Sequence, residues 1–211
     1  MTAITISIIA VFLLFAIFFL ILKNQDEKKS AFSSVHIEQE EQSEEIKHAI
    51  KEIKNVVYEK DGYVIEDYLF KLDDSLSRLD LVAITNQGIF VITMCEAQGK
   101  LLKANYDDAN WKMKSGRSKK TIPNYRTKVL KAEEQILNDL DSEIDYDAFI
   151  IFLNADVNEI ESVFCYTLNE ALLKIENVLD REKKLYSESS VYRYYSKLKK
   201  CNNRRRDTEN N

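Results

Sequence analysis

The sequence predicts an α+β (mixed α/β) domain, a central mixed sheet flanked by helices, carried behind one N-terminal transmembrane helix. Three observations carry that expectation. Residues 3–22 hold no charge, residues 62–115 read as successive strands, and apolar residues recur at helical spacing on both sides of that block. A chain of 211 residues, 45% of them apolar, can bury one medium core and still carry attachments. A single proline and four glycines leave no room for long flexible linkers or low-complexity repeats.

The apolar run AITISIIAVFLLFAIFFLIL (residues 3–22) spans roughly 30 Å as a helix, the thickness of a hydrocarbon core. Only Met1 and Thr2 precede it and no small-x-small site follows Leu22, so it reads as an uncleaved anchor (1–23) rather than a signal peptide. Lys23, Lys28 and Lys29 follow the span and no basic residue precedes it. The positive-inside bias then predicts a single-pass protein of the cell membrane, N-terminus outside and domain cytoplasmic. Cys95, Cys165 and Cys201 are odd in number and widely spaced, which fits neither a disulfide framework nor a zinc site and agrees with a reducing compartment. The only histidines, His36 and His48, precede the strand block, which argues against a His/Cys metal cluster and a catalytic triad.

Residues 24–42 form a polar, acidic linker, and the domain is expected over 43–200. Ile46, Ile50, Ile53 and Val57 give the first helix one apolar stripe. YVIEDYLF (63–70) is β-branched and aromatic. RLDLVAI (78–84) and GIFVITM (88–94) flank a short loop closed by Gly88, which is a hairpin pattern. GKLLKA (99–104) and WKMKS (111–115) read as further strands. A helix is expected from about Asn124 to Leu140, just after Pro123. DAFIIFLN (147–154) has the continuous apolar run of a buried strand, VFCYT (163–167) reads as one more strand, and helices are expected at about 168–180 and 189–200. Residues 201–211 are expected to be a basic, polar, disordered tail.

Charge is uneven along the chain. From Lys100 to Lys131 ten basic residues face two acids, a net of +8, in a protein whose formal net charge is −5. Lys112, Lys114, Arg117, Lys119, Lys120, Arg126 and Lys128 are the candidate nucleic-acid contacts, interleaved with the aromatics Tyr106, Trp111 and Tyr125.

The run RLDLVAITNQGIFVITMCEAQGKL resembles the core of the NERD (nuclease-related) domain, a bacterial branch of the PD-(D/E)xK restriction-endonuclease-like fold. Asp80, Gly88, Ile89, Phe90, Val91, Ile92 and Gly99 fall on the family pattern in order, as do Trp111 and Pro123 further on, and Ser43-Glu44 echoes an upstream Gly-Glu. The resemblance implies a nuclease fold over about residues 43–155. In an active member two carboxylates would hold Mg²⁺ or Mn²⁺ and a lysine would position the attacking water. Those positions differ here. The family's second acid falls on Thr93 and its lysine on Cys95, leaving Asp80 as the sole acid and a weak metal candidate; Ile122 and Arg126 replace an Asn and a Gln around Pro123. Thr93 and Cys95 therefore mark a vestigial site with Asp80, and Glu44 is a candidate upstream acid. A rescue through Glu96, Gln98 and Lys100 requires Glu96 to turn onto the face of Thr93 and Cys95.

Three functions follow as expectations. The first is a membrane-anchored, catalytically inactive module that binds DNA or RNA through the basic stretch. The second is a non-enzymatic scaffold at the membrane surface, with anionic lipid or a protein as its partner. The third is a metal-dependent nuclease using Glu96.

Overall fold

The computed structural model describes residues 42–73, 75–105, 107–141, 143–157 and 164–209. The expected anchor and nearly all of the acidic linker lie outside those residues, as does Tyr106. No described helix is long and apolar enough to cross a membrane.

The first helix, α1 (Glu44–Tyr58), is started by Ser43, whose side-chain oxygen accepts the Ile46 N–H, with Glu44 and Glu45 in the first turn. Three strands follow: β1 (Tyr63–Leu72), β2 (Ser75–Thr85) and β3 (Gly88–Cys95). They form an antiparallel meander. Strands β4 (Gly99–Lys103), β5 (Asn110–Ser115) and β6 (Ser118–Pro123) lead into α2 (Tyr125–Leu140), capped by Asn124. Then come β7 (Tyr146–Phe152), β8 (Ala155–Asp156), β9 (Cys165–Thr167), α3 (Leu168–Leu179) and α4 (Glu188–Glu209). Thr167 and Glu170 close a capping box at the start of α3.

Two sheets result where one central sheet was expected. The larger has the order β1-β2-β3-β7-β9, antiparallel through β3 and parallel beyond it. The smaller has the order β6-β5-β4-β8. Strand alternation divides the large sheet's side chains between its two faces. Leu81, Ala83, Phe90, Ile92 and Met94 join Ala49, Ile50, Ile53 and Val57 of α1 and Ala171, Ile175 and Val178 of α3 in one core. The alternate residues, Asp80, Thr93 and Cys95 among them, face the side on which α2 packs. Gly88 and Gly99 bracket β3. Their φ values are 130° and 123°, and an added Cβ would lie 2.4 Å from the Asp145 carbonyl oxygen and 2.2 Å from that of Lys114.

The chain end departs from expectation. Residues 201–209 are the last turns of α4, not a disordered tail. Asn202 accepts the Leu69 N–H (2.7 Å) and donates to the Asp67 carbonyl (3.3 Å). Arg205 pairs with Asp139, and Asp139 accepts from the Tyr68 hydroxyl. These bonds fasten α4 to β1, whose backbone polar groups would otherwise be buried without partners.

Candidate functional site

Register builds the centre of the site. Leu81 lies opposite Ile92 on β2 and β3, which sets Asp80 beside Thr93 on the same face. The Asp80 Oδ2 accepts the Thr93 hydroxyl at 3.0 Å and the Met94 N–H at 2.8 Å. Asp80 is thus a hydrogen-bonded carboxylate at the edge of the core. Thr93 is fully buried and Cys95 is 1% exposed.

Helix α2 closes this face. The Tyr125 hydroxyl donates to the Cys95 sulfur, and burial raises the pKa of both groups, so thiol and phenol are neutral at pH 7. One turn on, Lys128 is half-buried with its ammonium enclosed by protein. Burial lowers its pKa, the Arg78 charge adds to that, and the Asp80 carboxylate opposes it. Lys120, from the edge strand β6, also acts on Cys95 electrostatically. Lys128 was legible in the sequence only as one charge in a basic run. Its helical spacing from Tyr125 and Ala132, both facing the sheet, was the available signal.

The remaining candidates go elsewhere. Glu96 lies beyond the end of β3 and accepts a hydrogen bond from Ser43, the cap of α1. Its carboxylate is therefore engaged at the start of α1, although its charge still acts on Cys95 and Tyr125. Gln98 is exposed in the loop before β4. Lys100 sits on β4 opposite Lys114 and beside Asp156, in the smaller sheet. Glu44 is exposed and pairs with Lys47 at 2.9 Å; its neighbour Glu45 accepts from Asn154.

The donor set does not fit a hard divalent cation. Such an ion wants several anionic oxygens, and among the described residues no group of three His, Cys, Asp or Glu side chains converges. Thr93 offers a neutral hydroxyl that is already donated to Asp80, and Cys95 a protonated thiol.

The basic stretch forms a distinct surface on the smaller sheet. Lys114 lies between Lys100 and Lys119 on adjacent strands, and Lys112 lies beside Lys103 on the same face. Lys112, Lys114, Arg117, Lys119 and Lys120 are exposed. Lys103 pairs with Asp108 at 3.1 Å. Two of the expected surface cations are not on this face: the Arg126 guanidinium stacks 3.6 Å from the Phe164 ring centre, and Lys128 is the half-buried residue beside Asp80. The expected aromatic interleaving is absent among the described residues, because Trp111 packs on Phe152 at 1% exposure and Tyr125 is bound to Cys95.

The family model described as the nuclease-related domain, NERD, matches residues 16–166 of the chain. No curated protein and no solved structure matches it.

Proposed function

Because the chain belongs to the nuclease-related (NERD) domain family, we propose that it is a membrane-anchored member that binds nucleic acid without metal-dependent cleavage. One observation carries the binding: the exposed Lys114 and Lys119 lie directly opposite each other on β5 and β6, with Lys112 on the same face. Like charges placed directly opposite in a ladder repel one another. A polyanion laid over the sheet relieves that repulsion and gains affinity by releasing counterions. The inactivity rests on Thr93 and Cys95 standing at the acid and lysine positions, and on Glu96 being held by Ser43. The anchoring rests on the uncharged segment 3–22 and the lysines that follow it.

The test uses the full chain in neutral detergent, titrated with labelled double- and single-stranded DNA and with RNA at several salt concentrations in EDTA. Affinity should fall steeply with salt. The charge reversals Lys112→Glu, Lys114→Glu and Lys119→Glu together should reduce it at least ten-fold. Unchanged affinity in that variant would remove the sheet as the binding surface. Mn²⁺-dependent cleavage that disappears in Asp80→Ala would overturn the inactive reading.

A further inference from the structure

Helix α4 packs Val191, Tyr194 and Leu198 into the domain and turns a second stripe outward. Tyr192, Tyr195, Lys199, Lys200, Arg204 and Asp207 recur at the spacing of one helix face and line an open groove of about 480 Å³. At 1.5 Å per residue the stripe is about 22 Å long. Its aromatic end is fixed by packing. The Tyr195 ring stacks on Tyr63 of β1 with 4.8 Å between ring centres, and Tyr192 meets the same ring edge-on at 5.9 Å. The Lys199 ammonium donates to the Tyr195 hydroxyl at 2.9 Å. Tyr192 is nevertheless 57% exposed, and Lys199, Lys200 and Arg204 face water. Three cations against Asp207 leave the groove net positive.

The chain enters the domain beside this helix. Gln42, where the described domain begins, donates to the Asp67 carboxylate at 3.1 Å. The Asp67 carbonyl accepts from Arg206 of α4 at 3.0 Å and from Asn202 at 3.3 Å. Asp67 thus joins the end of the acidic linker to the last turns of α4. Residues 24–42 reach at most about 65 Å when extended, so an anchor at 3–22 keeps α4 within reach of the bilayer surface. Tyrosine, lysine and arginine suit headgroup depth, because each carries an apolar body and a polar or cationic tip. The apolar side of α4 is already used by the domain, so the helix would rest on headgroups and not insert.

We propose that the outward stripe of α4 is a docking surface for the anionic headgroups of the leaflet to which the chain is anchored, with Lys199, Lys200 and Arg204 meeting the negative charge and Tyr192 lying at headgroup depth. The proposal rests on the anchoring reading above and leaves the lysine face of the smaller sheet to nucleic acid.

The test reconstitutes the full chain in phosphatidylcholine vesicles, with and without phosphatidylserine, that carry a nitroxide-headgroup lipid. Tyr192→Trp supplies the reporter, and Trp111, buried at 1% exposure, is the reference. The new tryptophan should be blue-shifted and quenched when phosphatidylserine is present, and neither in phosphatidylcholine alone nor in high salt. Lys200→Glu with Arg204→Glu should reduce docking at least ten-fold, because each cation beside an anionic surface is worth about five-fold and the reversals add repulsion. Lys199 is kept because it holds Tyr195. Both reversals lie on an exposed face, so the melting temperature should not fall. Equal emission from neutral and anionic vesicles, in protein that floats with both, overturns the docking and leaves the anchor in place. Protein washed off neutral vesicles refutes the anchor; the docking surface then survives if phosphatidylserine vesicles retain the chain through Lys200 and Arg204, and falls if they do not. Reversals that weaken DNA binding in detergent and leave the vesicle signal unchanged assign the stripe to nucleic acid and overturn the proposal.

Discussion

Glu133 should make the domain less stable as pH rises through neutrality. It lies on the buried stripe of α2 at 5% exposure. Burial pushes its carboxyl from an ordinary 4.5 up to about 7, although the Arg126 charge and a hydrogen bond from the Tyr146 hydroxyl both favour the ionised form. The folded state therefore holds a proton up to about pH 7, whereas the unfolded chain releases it near 4.5. Between those values the folded state binds more protons, so stability falls as pH increases, by about 1.4 kcal/mol per unit. The full shift corresponds to about 3 kcal/mol lost above pH 7 and none below pH 4.5. Glu133→Gln keeps an acceptor for Tyr146 and cannot ionise. It should match wild type at pH 4.5 and exceed it by about 2–3 kcal/mol at pH 8. Trp111, the single tryptophan, is buried against Phe152 and Tyr125 and reports urea unfolding by fluorescence. Other carboxylates titrate in both proteins, so the difference between the two curves isolates Glu133. A difference independent of pH, or a Gln variant less stable at pH 8, would refute the assignment of a buried, largely protonated carboxyl.

Two further changes test the packing around the site. Asn202→Ala strands the buried Leu69 N–H and should cost about 2 kcal/mol in urea melts, with protection of the β1 amides falling first in hydrogen exchange. Gly99→Ala forces a Cβ against the Lys114 carbonyl at a left-handed φ and should cost about 2 kcal/mol or more, with the β4–β5 amides exchanging early.

The meander β1–β3, strand β7 and helices α1 to α3 were legible because each carries a clean period and a chemical terminus. The Ile46–Val57 stripe is one example and Pro123, just ahead of α2, is another. Strand β6 was not legible. SKKTIP buries only Ile122 well, because an edge strand of a small sheet keeps most of its residues in water and has little alternation to read. The last turns of α4 were hidden for a different reason. Arg204–Arg206 reads locally as a solvated tail, and the partners that fix it, Asp67, Leu69 and Asp139, lie far away in sequence. That Asp80, Thr93 and Cys95 belong together was readable from the family resemblance, and strand parity put Thr93 and Cys95 on one face. Tyr125 and Lys128 were not, because only the crossing of α2 over β3 puts them there.

That crossing makes the two departures from the family pattern consistent with each other. A carboxylate at position 93 would be buried beside Asp80, on a side chain whose present oxygen lies 3.0 Å from the Asp80 Oδ2. Two carboxylates that close cannot both stay ionised without a cation between them. The Thr93 hydroxyl removes that demand, since it donates to Asp80 where a second acid would repel it. A lysine at position 95 would then add charge to a face that already receives Lys128 from α2 and the field of Lys120 from β6. Cys95 avoids that addition and fills the space as a neutral thiol bound to Tyr125. Reverting one position alone would therefore leave an unbalanced charge, negative at 93 or positive at 95. The two residues act as a pair, since each is neutral where the reversion of the other alone would leave a buried charge without a counterpart.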